Sequence, residues 1–167
     1  MKRIKIYTTT IIILLMFGSC KFYNFTGTGD LNASTYQVNF FQNNAPIIEP
    51  GLDRDFTLAL QDLIQNQTSL TLVRSNADLI YEGEIVEYRV SPMSATANNT
   101  AAQNRLTIAV QVRFTHNNRP EDDFDQRFSF FFDYPATSQL SAVQSAAFDE
   151  IFERLTQDIF NASLANW

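Results

Sequence analysis

Tyr36, Val38 and Phe40 alternate with Gln37 and Asn39, the period of a half-buried strand. Asn43-Asn44-Ala45-Pro46 and Glu49-Pro50-Gly51 then punctuate a loop. From Leu52 the period lengthens, and Leu52, Phe56, Leu60, Leu63 and Ile64 fall on one helical face. Asp53 and Asp55 occupy the first turn, where carboxylates complement the helix dipole, and Asn66-Gln67-Thr68 predicts the stop. Leu70-Thr71-Leu72-Val73 is a short β-like piece and Asp78–Val90 a longer one. The alternation of the longer strand slips near Gly83, which predicts a bulge or a close backbone approach. Arg105–His116 is the cleanest strand: Leu106, Ile108, Val110, Val112 and Phe114 point one way, Arg105, Thr107, Ala109, Gln111 and Arg113 the other. In the next strand Phe124, Phe128, Phe130 and Phe132 oppose Asp125, Arg127, Ser129, Phe131 and Asp133. Ser141 with Gln144 predicts a capping box for a last helix whose apolar face is Phe148, Ile151, Phe152, Leu155 and Ile159.

The order is strand, helix, several antiparallel strands, helix. Alternating strands need one face covered, and two amphipathic helices supply the cover. The expected fold is therefore α+β, a two-layer sandwich with a mostly antiparallel sheet of four to five strands packed by two helices. Pairing the first strand in parallel with one that follows the helix requires a right-handed crossover. No internal repeat is visible.

The start of the chain has a different character. Lys2-Arg3-Ile4-Lys5 precedes the apolar run Ile11–Phe17, which ends at Gly18-Ser19-Cys20. A basic start, a short apolar core and small residues before a cut describe a secretory signal peptide over residues 1–19. The run falls well short of the ~20 residues that span a bilayer. Cys20 after Gly-Ser looks like a bacterial lipobox, whose thiol is lipidated; the usual Leu three residues earlier is Phe17. The alternative is an ordinary signal peptide with a stray or buried thiol. A single acyl chain anchors marginally and two or more hold stably, each buried methylene contributing ~0.8 kcal/mol. Residues 20–34 read as lipidated Cys and tether, and 35–167 as one domain.

Charge narrows the partners. Three of the 12 basic residues and none of the 18 acids lie before residue 20, which leaves nine bases against 18 acids, a net charge near −9. Such a body does not attract nucleic acid by bulk field. Fourteen of the 15 Phe follow the leader, too many for a disordered chain. One Cys and one His supply neither an internal disulfide nor a closed tetrahedral zinc site, and no cofactor motif appears.

Candidate chemistry is sparse. His116 precedes Asn117-Asn118-Arg119-Pro120 and is expected to be a solvated turn residue. Glu82, Glu84 and Glu87, and the run Glu121-Asp122-Asp123 with Asp125, are expected to be a solvated sheet face and a polar turn, although paired carboxylates can serve glycoside hydrolysis. No nucleophile elbow, phosphate loop, HExxH or EF-hand spacing is present, so no enzyme is expected. The 91–104 connection is longer than the 2–5 residues of most hairpins and is either functional or disordered. Arg105 and Arg113 share a strand face with Arg127 beside them, an arrangement that can bind phosphate; the alternative is pairing with nearby acids.

Taken in order, several stretches resemble the LptE-type lipopolysaccharide-assembly lipoproteins, in their shorter branch. They are Phe40-Phe41-Gln42-Asn43-Asn44-Ala45-Pro46, Pro50-Gly51-Leu52, Phe56–Asp62, Asp78–Ile85, Tyr88–Pro92, Asn104–Ile108, Asp158–Asn161 and the terminal Asn166-Trp167. The resemblance implies an outer-membrane lipoprotein, lipid-anchored and facing the periplasm. It implies that the chain plugs and helps assemble an LptD-type β-barrel and binds lipopolysaccharide during its insertion into the outer leaflet. The family fold it implies is a sheet packed by two helices. Arg105, Arg113 and Arg127 come from strand parity and not from the family. A competing expectation is a lipid-anchored ligand-binding module with an apolar pocket between sheet and helices, lined by the Phe124–Phe132 strand.

Overall fold

The computed structural model describes residues 32–93 and 102–165. The leader 1–19, Cys20, most of the tether, the middle of the 91–104 connection and Asn166-Trp167 lie outside the described residues. The elements run β1 (Thr35–Val38), β2 (Gln42–Asn43), α1 (Leu52–Gln67), β3 (Thr71–Leu72), β4 (Leu79–Met93), β5 (Gln103–His116), a 3-10 turn (Pro120–Asp122), β6 (Phe124–Pro135) and α2 (Leu140–Leu164).

Six strands form one sheet in the order β3-β1-β4-β5-β6, with β2 also on β4. The long strands β4, β5 and β6 pair antiparallel. β1 pairs in parallel with both β3 and β4, and β2 in parallel with β4. The β-like piece Leu70–Val73 is present as β3, and the strand count exceeds expectation by β2, a two-residue piece that no periodicity can reveal.

Both helices cover one face, as the alternation demands. α1 buries Leu52, Phe56, Thr57, Leu60 and Ile64. It starts at Gly51, whose φ of 86° is left-handed and costs other residues strain, and it closes with the Thr68 hydroxyl donating to the Ile64 carbonyl at 2.7 Å. α2 buries Ile151, Phe152, Leu155, Ile159 and Phe160. The Ser141–Gln144 capping box does not form. The helix begins two residues earlier, at Leu140 behind Gln139 with no side-chain cap, and the Gln144 amide instead donates to Glu49 Oε1 at 2.7 Å. The helices meet through Phe56 and Phe152, edge to face at 5.7 Å.

The first strand departs from its predicted alternation. β1 ends at Val38, Phe40 turns outward (55% exposed), and Phe41 is fully buried in its place. Gly83 is the reason. A Cβ there would lie 2.6 Å from Phe41 Cε1 and 2.1 Å from the Gln111 carbonyl oxygen. The bare backbone of β4 therefore seats the Phe41 ring, which also meets Phe56 at 5.2 Å. The slip expected near Gly83 resolves into this close approach plus a bulge between Ile85 and Glu87. Before the bulge Leu79, Tyr81 and Ile85 face the helices; after it Tyr88 does.

Candidate functional site

The sheet face away from the helices carries the polar half of each strand. Arg105, Arg113 and Arg127 all lie there, as parity predicts, and each meets an acid. Arg105 faces Asp133 across the β5–β6 ladder and grips it bidentately, Nε to Oδ1 at 2.7 Å and Nη2 to Oδ2 at 2.8 Å. Its guanidinium carbon also stands 3.5 Å over the centroid of the Phe131 ring. The hydrogen bonds from Arg105 hold the Asp133 carboxyl below its ordinary pKa and raise that of the guanidinium. Arg113 approaches Asp125, its partner in register, at a looser 3.4 Å. Arg127 pairs with Glu87, which also accepts from Arg89 Nε at 2.8 Å.

The acids cross-link the layers of this face. Glu82 accepts from the Asn39 amide at 2.6 Å and Glu84 from the Asn44 amide, which ties the β1–β2 edge to β4. Asp123 accepts the His116 N–H at 2.7 Å, and Asp122 pairs with Arg119 at 3.2 Å. Among the described residues no group of three or more His, Cys, Asp or Glu is placed to hold a metal ion.

His116 is not solvated. It is 1% exposed, because it extends the inward parity of Leu106 through Phe114 by one more residue. Nδ1 accepts the backbone N–H groups of Asn118 (3.3 Å) and Arg119 (3.1 Å), so the ring is the hub of the turn that follows.

Among the concavities that the described residues form on the open face, two adjoin the segment from β1 to α1. One, about 360 Å³, runs between Phe40, Gln42 and Asn44 and the strand residues Glu82, Glu84 and Arg113. The other, about 620 Å³, has Pro46, Ile47 and Val86 among its walls, with Glu87, Arg89 and Arg127. Ile47 and Ile48, 56% and 70% exposed, belong to a loop that the sequence marked only as punctuation. The space between sheet and helices is filled by Tyr36, Phe41, Phe56, Tyr81 and Phe114, all fully buried. Tyr81 and Phe114 pack at 4.9 Å, and the Tyr81 hydroxyl meets Ser163 Oγ at 2.9 Å. Among the described residues no buried side-chain polar atom lacks a partner.

Similarity to other proteins adds to this geometry. Protein CT253 from Chlamydia trachomatis has the same fold, with a TM-score of 0.54 at 10% identity over 80% of this chain and 99% of that one. Protein XCC0632 from Xanthomonas campestris, of the DUF330 family, gives 0.50 at 12% identity over 77% and 84%. No curated protein matches by sequence. The model of the LptE family, described as lipopolysaccharide-assembly, matches residues 33–163, from the residues before β1 to the last turn of α2. That match spans nearly every described element, and the chain therefore belongs to the LptE lipopolysaccharide-assembly family.

Proposed function

We propose that this chain is an outer-membrane lipoprotein, held by acyl chains on Cys20, that plugs an LptD-type barrel and helps it assemble for lipopolysaccharide transport. The family match over residues 33–163 carries the reading. The physical character of the body supports it. A plug needs a rigid form, a polar surface suited to a wet lumen and a tether at the barrel mouth, and it needs no reacting group. The interior here is filled by large side chains, and the open face is polar with its charges largely paired. No helix among the described residues is long and apolar enough to cross a membrane; in this reading the acyl chains on Cys20 supply the attachment. A tether raises effective concentration, and modest contacts then suffice. The competing ligand-module reading needs room between sheet and helices, where the aromatic core already sits.

Within this reading Arg105, Arg113 and Arg127 are the proposed contacts for lipopolysaccharide phosphates. Arg113 and Arg127 have side chains 63% and 52% exposed and are open to an incoming anion. Replacing all three by Ser is expected to weaken lipopolysaccharide binding, and unchanged binding dismisses the site. The barrel reading is tested by extracting the full chain in mild detergent through an affinity tag. A large outer-membrane barrel should copurify in stoichiometric amount; repeated recovery without any barrel counts against the plug.

A further inference from the structure

β6 is the last strand of the sheet, and its outer edge has no strand beside it among the described residues. Which groups point outward can be worked out. The Ala136 N–H donates to the Ala102 carbonyl, extending the β5–β6 register by one pair. Even-numbered residues of β6 are therefore the hydrogen-bonded partners of β5, because such pairs alternate in an antiparallel ladder. The odd-numbered residues Asp125, Arg127, Ser129, Phe131 and Asp133 direct their N–H and C=O groups to the free edge.

This edge is poorly guarded. Proteins blunt exposed edges with lysines, prolines, bulges or very short strands. β6 is 12 residues long and pairs with β5 without a bulge. No lysine occurs after Lys21. Pro135 lacks an N–H at an outward position, but only at the strand's end. Phe131 is 41% exposed, and Phe130 and Phe132 are half-buried.

The charges select a partner. In an antiparallel pair of two β6 strands related by a two-fold axis, outward groups meet only in registers that oppose odd residues to odd residues. Centring on Phe130 sets Arg127 of each copy opposite Asp133 of the other. It also stacks Phe128 on Phe132 and Phe130 on its symmetry mate. Moving the centre to Ser129 opposes Asp125 to Asp133, two like charges, and moving it to Phe131 leaves Arg127 opposite Pro135. Centring on Gln126 opposes Asp125 to Arg127 but pairs only residues 124–128 and leaves the Phe cluster open. Facing charges of opposite sign and facing aromatics are the units that stabilise a ladder. In the Phe130 register the pairs within each copy become one alternating row, Glu87–Arg127 of one copy and Asp133–Arg105 of the other.

We infer that β6 pairs edge to edge with β6 of a second copy of this chain, antiparallel about Phe130, forming a self-complementary dimer with a continuous sheet. The inference concerns the protein free of any barrel and does not depend on the barrel reading. Its test uses the full chain in detergent, with light scattering and chemical cross-linking as the measure of association. The wild-type chain should be dimeric. Ser129→Pro removes one outward N–H without touching the β5 ladder and should give monomer with an unchanged circular dichroism spectrum. Arg127→Asp alone and Asp133→Arg alone each set like charges opposite one another and should be monomeric. An equimolar mixture of the two should form a heterodimer, which also shows that both variants fold. A monomeric wild type overturns the inference, as does association that survives Ser129→Pro, which marks contacts among lipid anchors. Association lost in Ser129→Pro but kept in both charge variants overturns the register. Monomer whose odd-numbered β6 amides become protected from exchange only when a copurifying barrel binds would assign the edge to the barrel and refute self-pairing.

Discussion

Gly83→Ala is the sharpest perturbation of the fold. In an ordinary strand interior this change helps by about 0.5–1 kcal/mol, because Gly loses more backbone entropy on folding. Here the added methyl carbon would stand 2.1 Å from the Gln111 carbonyl oxygen and 2.6 Å from the Phe41 ring, both well inside van der Waals contact. The first neighbour is backbone on the adjoining strand and can retreat only by spreading β4 from β5. The second is a fully buried ring wedged against Phe56. Overpacking typically costs 1–3 kcal/mol when side chains can adjust, and with backbone as the obstacle the top of that range or more is expected. A net loss of about 3 kcal/mol follows, read as a lower urea midpoint at unchanged slope.

A double-mutant cycle separates the two clashes. Phe41→Ala alone should cost about 3–5 kcal/mol as a large-to-small core change. In that background Gly83→Ala should cost less, since the ring is gone, but not nothing, since the Gln111 oxygen remains; the deficit is the coupling energy of the pair. A Gly83→Ala protein within 0.5 kcal/mol of wild type refutes the close approach. Strict additivity refutes the part assigned to the ring.

Two further substitutions probe polar groups. Asp78 accepts from the Ser34 N–H at 2.8 Å and from the Thr35 N–H and hydroxyl at 3.0 Å each, and these bonds hold its carboxyl below the ordinary value. A depressed folded pKa adds stability that is fully present above the unfolded value of about 3.9 and lost as pH falls through the folded one; Asp78→Asn should therefore lower the urea midpoint at pH 7 by an amount that narrows as pH falls below about 3.9, and a gap that stays constant is contrary evidence. Tyr81→Phe keeps the ring volume and removes the hydroxyl bonded to Ser163, whose Oγ still donates to the Ile159 carbonyl at 2.8 Å, so a loss of only about 1 kcal/mol by thermal unfolding is expected; no loss at all would show that the buried bond is energetically idle.

How much of this was legible in sequence depended on where the determining contact lay. The faces of β5 and β6 could be assigned because a period of two flips every side chain at once; the apolar set is unbroken on β5 from Leu106 to Phe114 and interrupted on β6 only by Gln126. Arg105, Arg113 and Arg127 came to one face for that reason. Both helices were legible from their 3.6-residue period. Phe40 and Phe41 were not. Alternation favours Phe40 as the inward residue, and only the vacancy left by Gly83 across the sheet makes Phe41 the better fit. His116 was legible and misread, since it continues the inward parity of β5, but the polar residues after it resemble an exposed turn. Its two backbone donors come from the turn itself, a local arrangement that burial explains and composition hides. The two-residue strand β2 exists because the long strand β4 offers an edge, a tertiary effect with no local signature, whereas β3 was legible in Leu70–Val73. The pairing of each arginine with an acid was weighed from sequence, but which partner each takes depends on register.

The three arginines are chemically unequal, and the inequality orders what an anion can do at this face. Arg105 is held bidentately by Asp133, stacked on Phe131 and about 29% exposed, so an incoming phosphate must displace a well-formed pair and uncover a ring. Arg113 is 63% exposed and meets Asp125 at 3.4 Å. Exposed pairs of this kind contribute about 0–1 kcal/mol, so exchanging one carboxylate for a phosphate costs little. Arg127 lies between these cases, exposed but sharing Glu87 with Arg89. If the open face receives lipopolysaccharide phosphates, Arg113→Ser should weaken binding several-fold with the unfolding midpoint unchanged, while Arg105→Ser should lower the midpoint and affect binding less at temperatures where the protein stays folded. Binding to immobilised lipopolysaccharide, measured beside denaturation of the same samples, separates the outcomes. Equal binding losses from both substitutions would mean that pairing does not gate access, and that net charge, not geometry, governs the contact.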